Sequence, residues 1–248
     1  MDYTICITTF SRRLEFVQKL VSQIRTYSDC DILIAINGDY KVEFDENYRC
    51  KMLGLCLRYK RVFPIFFPEQ RGLSKLWNTL VIHSKTDWCI VLNDDVEIIG
   101  KEFFEEILIH CDKDVPAIYT INLSWSHFLV HKTLLHDMMY FDERFLGFGS
   151  EDSDFAWRYF EKYKKWIENK QLHGIENVTS NIRDENVLSS GGKYSAFNHN
   201  LLCGENHSKY VPDQSGVAVL FSHPVRKVLE DSIQYPYEEF FLKNKNLL

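Results

Sequence analysis

Ile32-Leu33-Ile34-Ala35-Ile36 is an unbroken apolar run that stops at Asn37-Gly38, and this combination leaves few options for the fold. A strand with one wet face alternates apolar and polar residues. A run apolar at every position must be buried on both faces, which is the habit of parallel sheets covered by helices, and Asn-Gly then ends it in a turn. The same reading applies to residues 3–9 and to Trp88-Cys89-Ile90-Val91-Leu92, which closes in Asn93-Asp94-Asp95. Helical patterns lie between these runs. Ser11 is placed to cap a helix with Leu14, Val17, Leu20, Val21 and Ile24 on one face. Ser74 is placed to cap another with Leu76, Leu80 and Val81 inward. A strand is expected over residues 61–67, its pairing limited by Pro64 and Pro68.

Beyond residue 100 the pattern predicts a helix over 101–110 and short strands at 117–120 and 128–130. A helix is expected over 151–164, with Phe155, Tyr159 and Tyr163 recurring at near-helical spacing. Residues 165–225 read as loop-rich. The βαβ succession predicts an α/β protein with a mostly parallel, doubly wound sheet, in which ligands bind beyond the carboxyl ends of the strands. Thr8-Thr9, Asn37 and Asp94-Asp95 all fall at such ends, and one shared cleft is expected there. The expected organisation is a single domain in two halves, residues 1–97 and 98–225, with 226–248 as a tail. Tyr235, Tyr237, Phe240 and Phe241 in that tail are expected to pack back on the domain, with docking on a membrane or partner as the alternative.

Composition narrows the partners. A net charge of −6 with no long basic run argues against an obligate nucleic-acid binder. Seven scattered cysteines, an odd number without a CxxC pair, favour reduced thiols in a cytoplasm over a disulfide framework. The N-terminal residues lack a basic n-region and read as a strand rather than a signal peptide. No apolar run reaches the ~18 residues that read as a transmembrane helix, which leaves peripheral membrane association open. Asn177-Val178-Thr179 and Asn122-Leu123-Ser124 match the glycosylation pattern, which carries no meaning in a cytosolic protein.

Acids mark the chemistry. Phe141-Asp142-Glu143-Arg144-Phe145 is followed by Glu151-Asp152 and Asp154 after the glycine-bearing segment Gly147-Phe148-Gly149-Ser150. Acids opening a helix complement its dipole for only ~0.3–1 kcal/mol, which accounts for the charges but not for the glycines and aromatics before them. Asp94-Asp95 at a strand end suits a hard divalent cation such as Mg²⁺ or Mn²⁺, and equally suits a solvated turn. Arg71-Gly72 before a helix offers backbone N–H groups to a diphosphate, or is a surface charge. His173, beside Gly174, is the best further metal-ligand candidate among the histidines, ahead of His199, His207 and His223. No GxGxxG or Walker loop is present, which counts against dinucleotide and P-loop chemistry.

In this order and spacing the motifs resemble the family 2 glycosyltransferases, over about residues 3–160. Thr8-Thr9-Phe10-Ser11-Arg12 resembles that family's P-T-Y-N-R pattern, with Thr8 where proline is usual. Asn37-Gly38-Asp39 matches its acidic turn, with Asn37 in place of the commoner acid. Gln70-Arg71-Gly72 and Asn78 match its N/Q-R-G segment, and Leu92-Asn93-Asp94-Asp95-Val96 its DxD-type element, with Asn93 at the first acid. Residues 140–145 and Gly149-Ser150-Glu151-Asp152-Ser153-Asp154 match its late segment, the most specific part.

The resemblance implies a GT-A fold: a Rossmann-like, mostly parallel twisted sheet flanked by helices, with a smaller irregular acceptor-side region. It implies an inverting, metal-dependent transfer from a nucleoside diphosphate sugar to a hydroxyl of a glycan or glycoconjugate, in the assembly of a surface polysaccharide or conjugate. Thr8, Thr9, Phe10, Arg12, Asn37, Arg71 and Asn93 would then lie about the nucleotide sugar, with Asp94 facing the ribose or diphosphate. Asp95 would hold Mn²⁺ or Mg²⁺, Gly149 and Glu151 would meet the sugars, and Asp152 would be the base, with Asp95 and Asp152 flanking one bound sugar. A sugar nucleotidyltransferase and a non-catalytic nucleotide-sugar-binding module are the alternatives. The first is disfavoured by the lack of a glycine-rich basic N-terminal loop, and the second by the retained acids.

Overall fold

The computed structural model describes residues 2–10, 13–38, 43–111, 115–143, 145, 147–178, 198, 211–212 and 218–219. The expectations placed on Ser11, Arg12, Asp39, Arg144, Thr179, the three histidines His199, His207 and His223, and the tail lie outside the described residues. The chain divides into two compact units. The first is Met1–Gln70, Leu76–Leu134 and Glu168–Arg183; the second is Arg71–Lys75, Leu135–Ile167 and Asp184–Leu248.

The first unit is built on a seven-stranded sheet. Its elements run β1 (Tyr3–Thr9), α1 (Leu14–Tyr27), β2 (Asp31–Ile36), α2 (Glu46–Arg58), β3 (Val62–Phe66), α3 (Leu73–His83), β4 (Trp88–Asn93), β5 (Val96–Ile98), α4 (Glu102–Ile109), β6 (Ile118–Ile121) and β7 (Ser124–His131). The opening turn of α3, Leu73–Lys75, is counted in the second unit. After α5 (Lys132–Asp137) and α6 (Glu151–Tyr163), the sheet gains β8 (Glu168–Lys170), and β9 (Ile175–Asn177) pairs with β5. The strand order is β3-β2-β1-β4-β7-β6-β8, with β7 alone running against the rest. The mostly parallel sheet expected from the sequence is therefore present, and its short late strands are one reversed hairpin plus β8.

Burial explains the order. β1 is buried at every position and pairs on both sides, with β2 and with β4. On one face Ile5, Ile7, Ile32, Ile34, Ile36, Ile90 and Leu92 join the inward residues of α1, α2 and α4 in one cluster, each such side chain contributing roughly 1.5–3 kcal/mol by leaving water. Trp77 of α3 meets Phe128 of β7 edge to face at 5.2 Å. Pro64 sits in β3 at the sheet edge, where a missing N–H costs no ladder bond. All six described cysteines are free thiols.

Arg13 occupies the cap position of α1, without a side-chain cap bond. Ser74 lies inside α3 rather than ahead of it. Helix α2 was not anticipated, although Asp45 caps it in the expected manner, accepting from the N–H of Asn47 at 2.9 Å and of Tyr48 at 3.1 Å.

The second unit includes the 135–150 segment, α6 and the two-stranded pair β10 (Val211–Pro212) and β11 (Ala218–Val219). Phe141 and Phe155 stack at 4.4 Å. Asp154 is fully buried and binds Arg158 at 2.8 Å, one helical turn on. The same guanidinium donates to the carbonyls of Met138 and Tyr140. These carbonyls bracket two successive left-handed residues, Met139 (φ 62°) and Tyr140 (φ 64°), a conformation that L-residues hold only when outside contacts fix it. Glu143, also buried, binds Lys75 at 3.1 Å.

Asp45→Ala is expected to cost about 1 kcal/mol, the usual loss on removing an N-cap. Urea unfolding checks this: the midpoint falls while the slope, set by the area exposed on unfolding, stays as in the parent.

Candidate functional site

The carboxyl ends of β1, β2 and β4 bring Thr8, Thr9, Phe10, Asn37, Asn93, Asp94 and Asp95 together, as parallel neighbours in register must. Asn37 N–H donates to Thr9 O at 2.9 Å, and Asp94 N–H to Thr8 O at 3.1 Å. Side chains repeat the pattern, since Thr8 Oγ1 donates to Asn93 Oδ1 at 2.8 Å and Thr9 Oγ1 to Asp94 Oδ2 at 2.6 Å. Asn37 is completely buried. After it, a Cβ on Gly38 would lie 2.8 Å from the backbone of Glu69, so this turn is closed to any side chain.

The two acids at the end of β4 differ. Asp94 is 2% exposed; its Oδ1 lies 2.8 Å from Arg13 Nη1 and its other oxygen accepts from Thr9. Burial pushes its carboxyl up to about 7, against the pull of the Arg13 guanidinium and the Thr9 hydroxyl. Asp95 is half-buried. Its backbone carbonyl accepts from Val178 N–H at 2.9 Å, while its Oδ1 is buried with no hydrogen-bond partner among the described residues. A buried carboxylate oxygen without a partner fits a cation ligand. Among the described residues no group of three or more His, Cys, Asp or Glu side chains stands ready to hold a metal, so Asp95 is the acid that the fit rests on.

His173 is not brought to this place. Ile98 pairs with Ile175 and Val96 with Asn177, which puts His173 beyond one end of the β5–β9 ribbon and Asp95 at the other. Its imidazole Nδ1 meets Glu106 at 2.8 Å on the surface, with the side chain 80% exposed. The glycine beside it has a structural reason, because Gly174 (φ 73°) would drive a Cβ to 2.9 Å from Gly100 O.

In the second unit, Arg71 is buried just before α3, and Leu73 N–H donates to Gly147 O at 2.7 Å. Gly149 (φ 106°) and Ser150 (φ 79°) turn the chain into α6 through left-handed backbone, and Asn198 Nδ2 donates to Gly149 O at 2.9 Å. The adjacent acids at the helix start again differ. Asp152 accepts from Ser153 N–H at 2.7 Å and keeps partial exposure. Glu151 is 5% exposed with its Oε2 unpartnered among the described residues. Burial, aided by the charge of Asp152, raises its carboxyl from 4.5 to about 8.

The acid-rich segment that dominates the sequence thus splits by role. Glu143 and Asp154 are partners of Lys75 and Arg158 and hold the unit together. Glu151, by contrast, keeps an oxygen without a partner among the described residues, and Asp152 keeps partial exposure. Arg13 and Lys75 were missed as partners, because neither lies near its acid in the sequence. The double basic Arg12-Arg13 was the available signal for the first.

The family model of glycosyl transferase family 2 matches residues 4–167, about two thirds of the chain. The chain belongs to this family. It is therefore a member of a family of glycosyltransferases, and its fold is GT-A. No match was found among curated proteins. Among solved structures it resembles glucosyl-3-phosphoglycerate synthase from Mycobacterium tuberculosis, in complex with Mn²⁺, UDP and glucosyl-3-phosphoglycerate. That match has a TM-score of 0.59 at 10% identity and covers 84% of this chain and 82% of that one. The mannosyltransferase PcManGT from Pyrobaculum calidifontis, in complex with GDP-Man and Mn²⁺, matches with a TM-score of 0.54 at 9% identity, covering 68% of this chain and 55% of that one. S. aureus TarS matches at 0.52 and 12%, over 69% of this chain and 35% of TarS. At these identities the likeness is one of fold, and the chain spans a third to just over half the length of the last two. No helix among the described residues is long and apolar enough to cross a membrane.

The Glu151 shift has a pH signature. The folded protein keeps this proton up to about pH 8, whereas the unfolded chain releases it near 4.5. Between those values the folded state binds more protons, so stability falls as pH rises through the window. Glu151→Gln is expected to remove that part of the fall, leaving a flatter melting temperature between pH 5 and 8 than in the parent, measured by thermal denaturation.

Proposed function

We propose that the chain transfers a glycosyl group from a nucleoside diphosphate sugar to a hydroxyl of a glycan or glycoconjugate acceptor, with inversion and with help from Mn²⁺ or Mg²⁺. The observation that carries this reading is the buried, unpartnered Oδ1 of Asp95 at the carboxyl end of β4. Parallel sheets bind ligands at such ends. Mg²⁺, and by the same hard-oxygen chemistry Mn²⁺, binds through one or two carboxylates together with substrate phosphates. A single carboxylate is therefore sufficient protein ligation where a diphosphate completes the shell. The fold's likeness to structures holding UDP with Mn²⁺ and GDP-Man with Mn²⁺ supports the same donor chemistry.

When bound, the cation neutralises the charge that develops on the departing nucleoside diphosphate. The chain's own residues do the rest. Thr9 and Asn37 are proposed to meet the nucleoside, the backbone bond between them at the strand ends holding the base in one place. Asp152, partly exposed at the start of α6, is proposed to accept the proton of the acceptor hydroxyl as its oxygen attacks the anomeric carbon. Attack opposite the leaving group inverts the configuration. Glu151, carrying its proton at neutral pH, is proposed to donate a hydrogen bond to a sugar hydroxyl rather than to compete for the proton that Asp152 takes.

Two measurements test this. A thermal-shift panel of UDP-, GDP- and dTDP-sugars with and without Mn²⁺ is expected to show a donor that stabilises the protein more with the metal present, and Asp95→Asn to abolish the metal-dependent increment. Equal stabilisation with and without Mn²⁺ would remove Asp95 from the site. With the donor so found, Asp152→Asn is expected to lower kcat by ~10²–10⁴, the usual value of general-base assistance, with donor affinity unchanged. Full turnover in that variant would exclude Asp152 as the base.

A further inference from the structure

Asp94 and Asp95 are neighbours in sequence with opposite surroundings, and the residue that makes the difference is Arg13. Its guanidinium is 8% exposed, faces Asp94 at 2.8 Å and lies over the Phe16 ring at 4.6 Å. A buried cation is retained where its partner needs it, because an arginine left unpaired in such a place is strongly destabilising. Arg13 and Thr9 together occupy both oxygens of Asp94. The backbone of the same turn is tied on both sides, Asp94 N–H to Thr8 O and Asp95 O to Val178 N–H. Every polar group of the turn named here is engaged by the protein, except the Asp95 carboxylate.

We infer that Arg13 is a positioning residue of the cation site: by clamping the Asp94 carboxylate against Thr9 it fixes the turn that presents Asp95, and Asp94 is part of that mount rather than a ligand. This rests on the proposed cation-assisted reading. Residues that orient a metal ligand without touching the metal typically contribute 10–100-fold to metal affinity, so a purely structural Arg13 and a positioning Arg13 differ in a measurable way.

The experiment is a Mn²⁺ titration of the full chain saturated with UDP, and in a second series with GDP, following free Mn²⁺ by its paramagnetic signal, with folding of each variant checked by circular dichroism. Asp95→Asn is the reference for complete loss. Arg13→Gln and Asp94→Asn are each expected to weaken Mn²⁺ binding roughly 10–100-fold, and Arg13→Gln to leave metal-free nucleotide affinity unchanged. The double variant is expected to be no weaker than either single one, since both act through one contact. Arg13→Lys keeps the charge, folds where Arg13→Gln does not, and is expected to recover part of the affinity. Wild-type Mn²⁺ affinity in folded Arg13→Gln or Arg13→Lys, with only a lowered melting temperature, overturns the inference. So does an Asp94→Asn loss as complete as that of Asp95→Asn, which would make Asp94 a ligand. If the parent binds no Mn²⁺ with either nucleotide and Asp95→Asn changes nothing, the cation-assisted reading itself fails, and the role of Arg13 falls with it.

Discussion

The pairing of β1 with a parallel neighbour on each side is the constraint on which the first unit depends. Parallel pairing in register makes the strands finish together. Whatever follows β2 and β4 must therefore leave the sheet beside the end of β1. The last two carbonyls of β1, on Thr8 and Thr9, each bind the first N–H beyond a neighbouring strand: Asp94 after β4 and Asn37 after β2. The candidate site is in this sense a continuation of the ladder by one residue on each side. Its precision is borrowed from a strand with no exposed position, whose Thr8 and Thr9 carbonyls and hydroxyls partner groups of Asn37, Asn93 and Asp94 at the ends of the neighbouring strands.

What could be read from the sequence follows the same division. Strands buried on both faces announce themselves as continuous apolar runs, and the residues at their ends are then located by counting. That made β1, β2, β4 and the Thr9, Asn37 and Asp95 positions legible. Helix α2 was harder, because Tyr48, Met52, Leu55 and Cys56 form its buried stripe amid charged residues and Gly54, although Asp45 was a cap in plain view. Long-range ion pairs were not legible at all. Nothing in Phe141-Asp142-Glu143 says that Lys75 pairs with Glu143, or that Arg158, one turn after its partner Asp154, also reaches back to the carbonyls of Met138 and Tyr140. A dense run of acids reads as a site until the bases that bury it are known. His173 illustrates the reverse error: a histidine beside a glycine drew attention, and the glycine proves to be there for close backbone approach to Gly100.

The two units also differ in how they are held. In the first, the aliphatic strand residues pack with Tyr3, Tyr48, Phe103 and Phe104 over the sheet, and the buried ion pair Arg13–Asp94 sits at the end of the strands. In the second, buried pairs lie among aromatic rings: Arg158 packs against Phe155 at 5.2 Å while binding Asp154. Such pairs add little net stability compared with apolar replacements, yet breaking one partner is costly. They fix the left-handed turn at Met139 and Tyr140 that an apolar contact could not fix, since only donors can hold those carbonyls.

Both acid doublets obey one rule. In Asp94-Asp95 and in Glu151-Asp152, one member is buried with its carboxyl raised to about 7 and about 8 respectively, and its neighbour keeps contact with solvent. Adjacent carboxylates repel, and the protein relieves that repulsion by giving them unequal surroundings, so that the desolvated one tends to hold its proton or a guanidinium. The arrangement turns two equivalent acids into one enclosed by the fold and one that meets solvent. A doublet with both members exposed would attract counter-ions from water without orienting them, and one with both buried would be neutral. The unequal burial is thus the condition under which a strand end or a helix start in this chain can present a single, directed carboxylate.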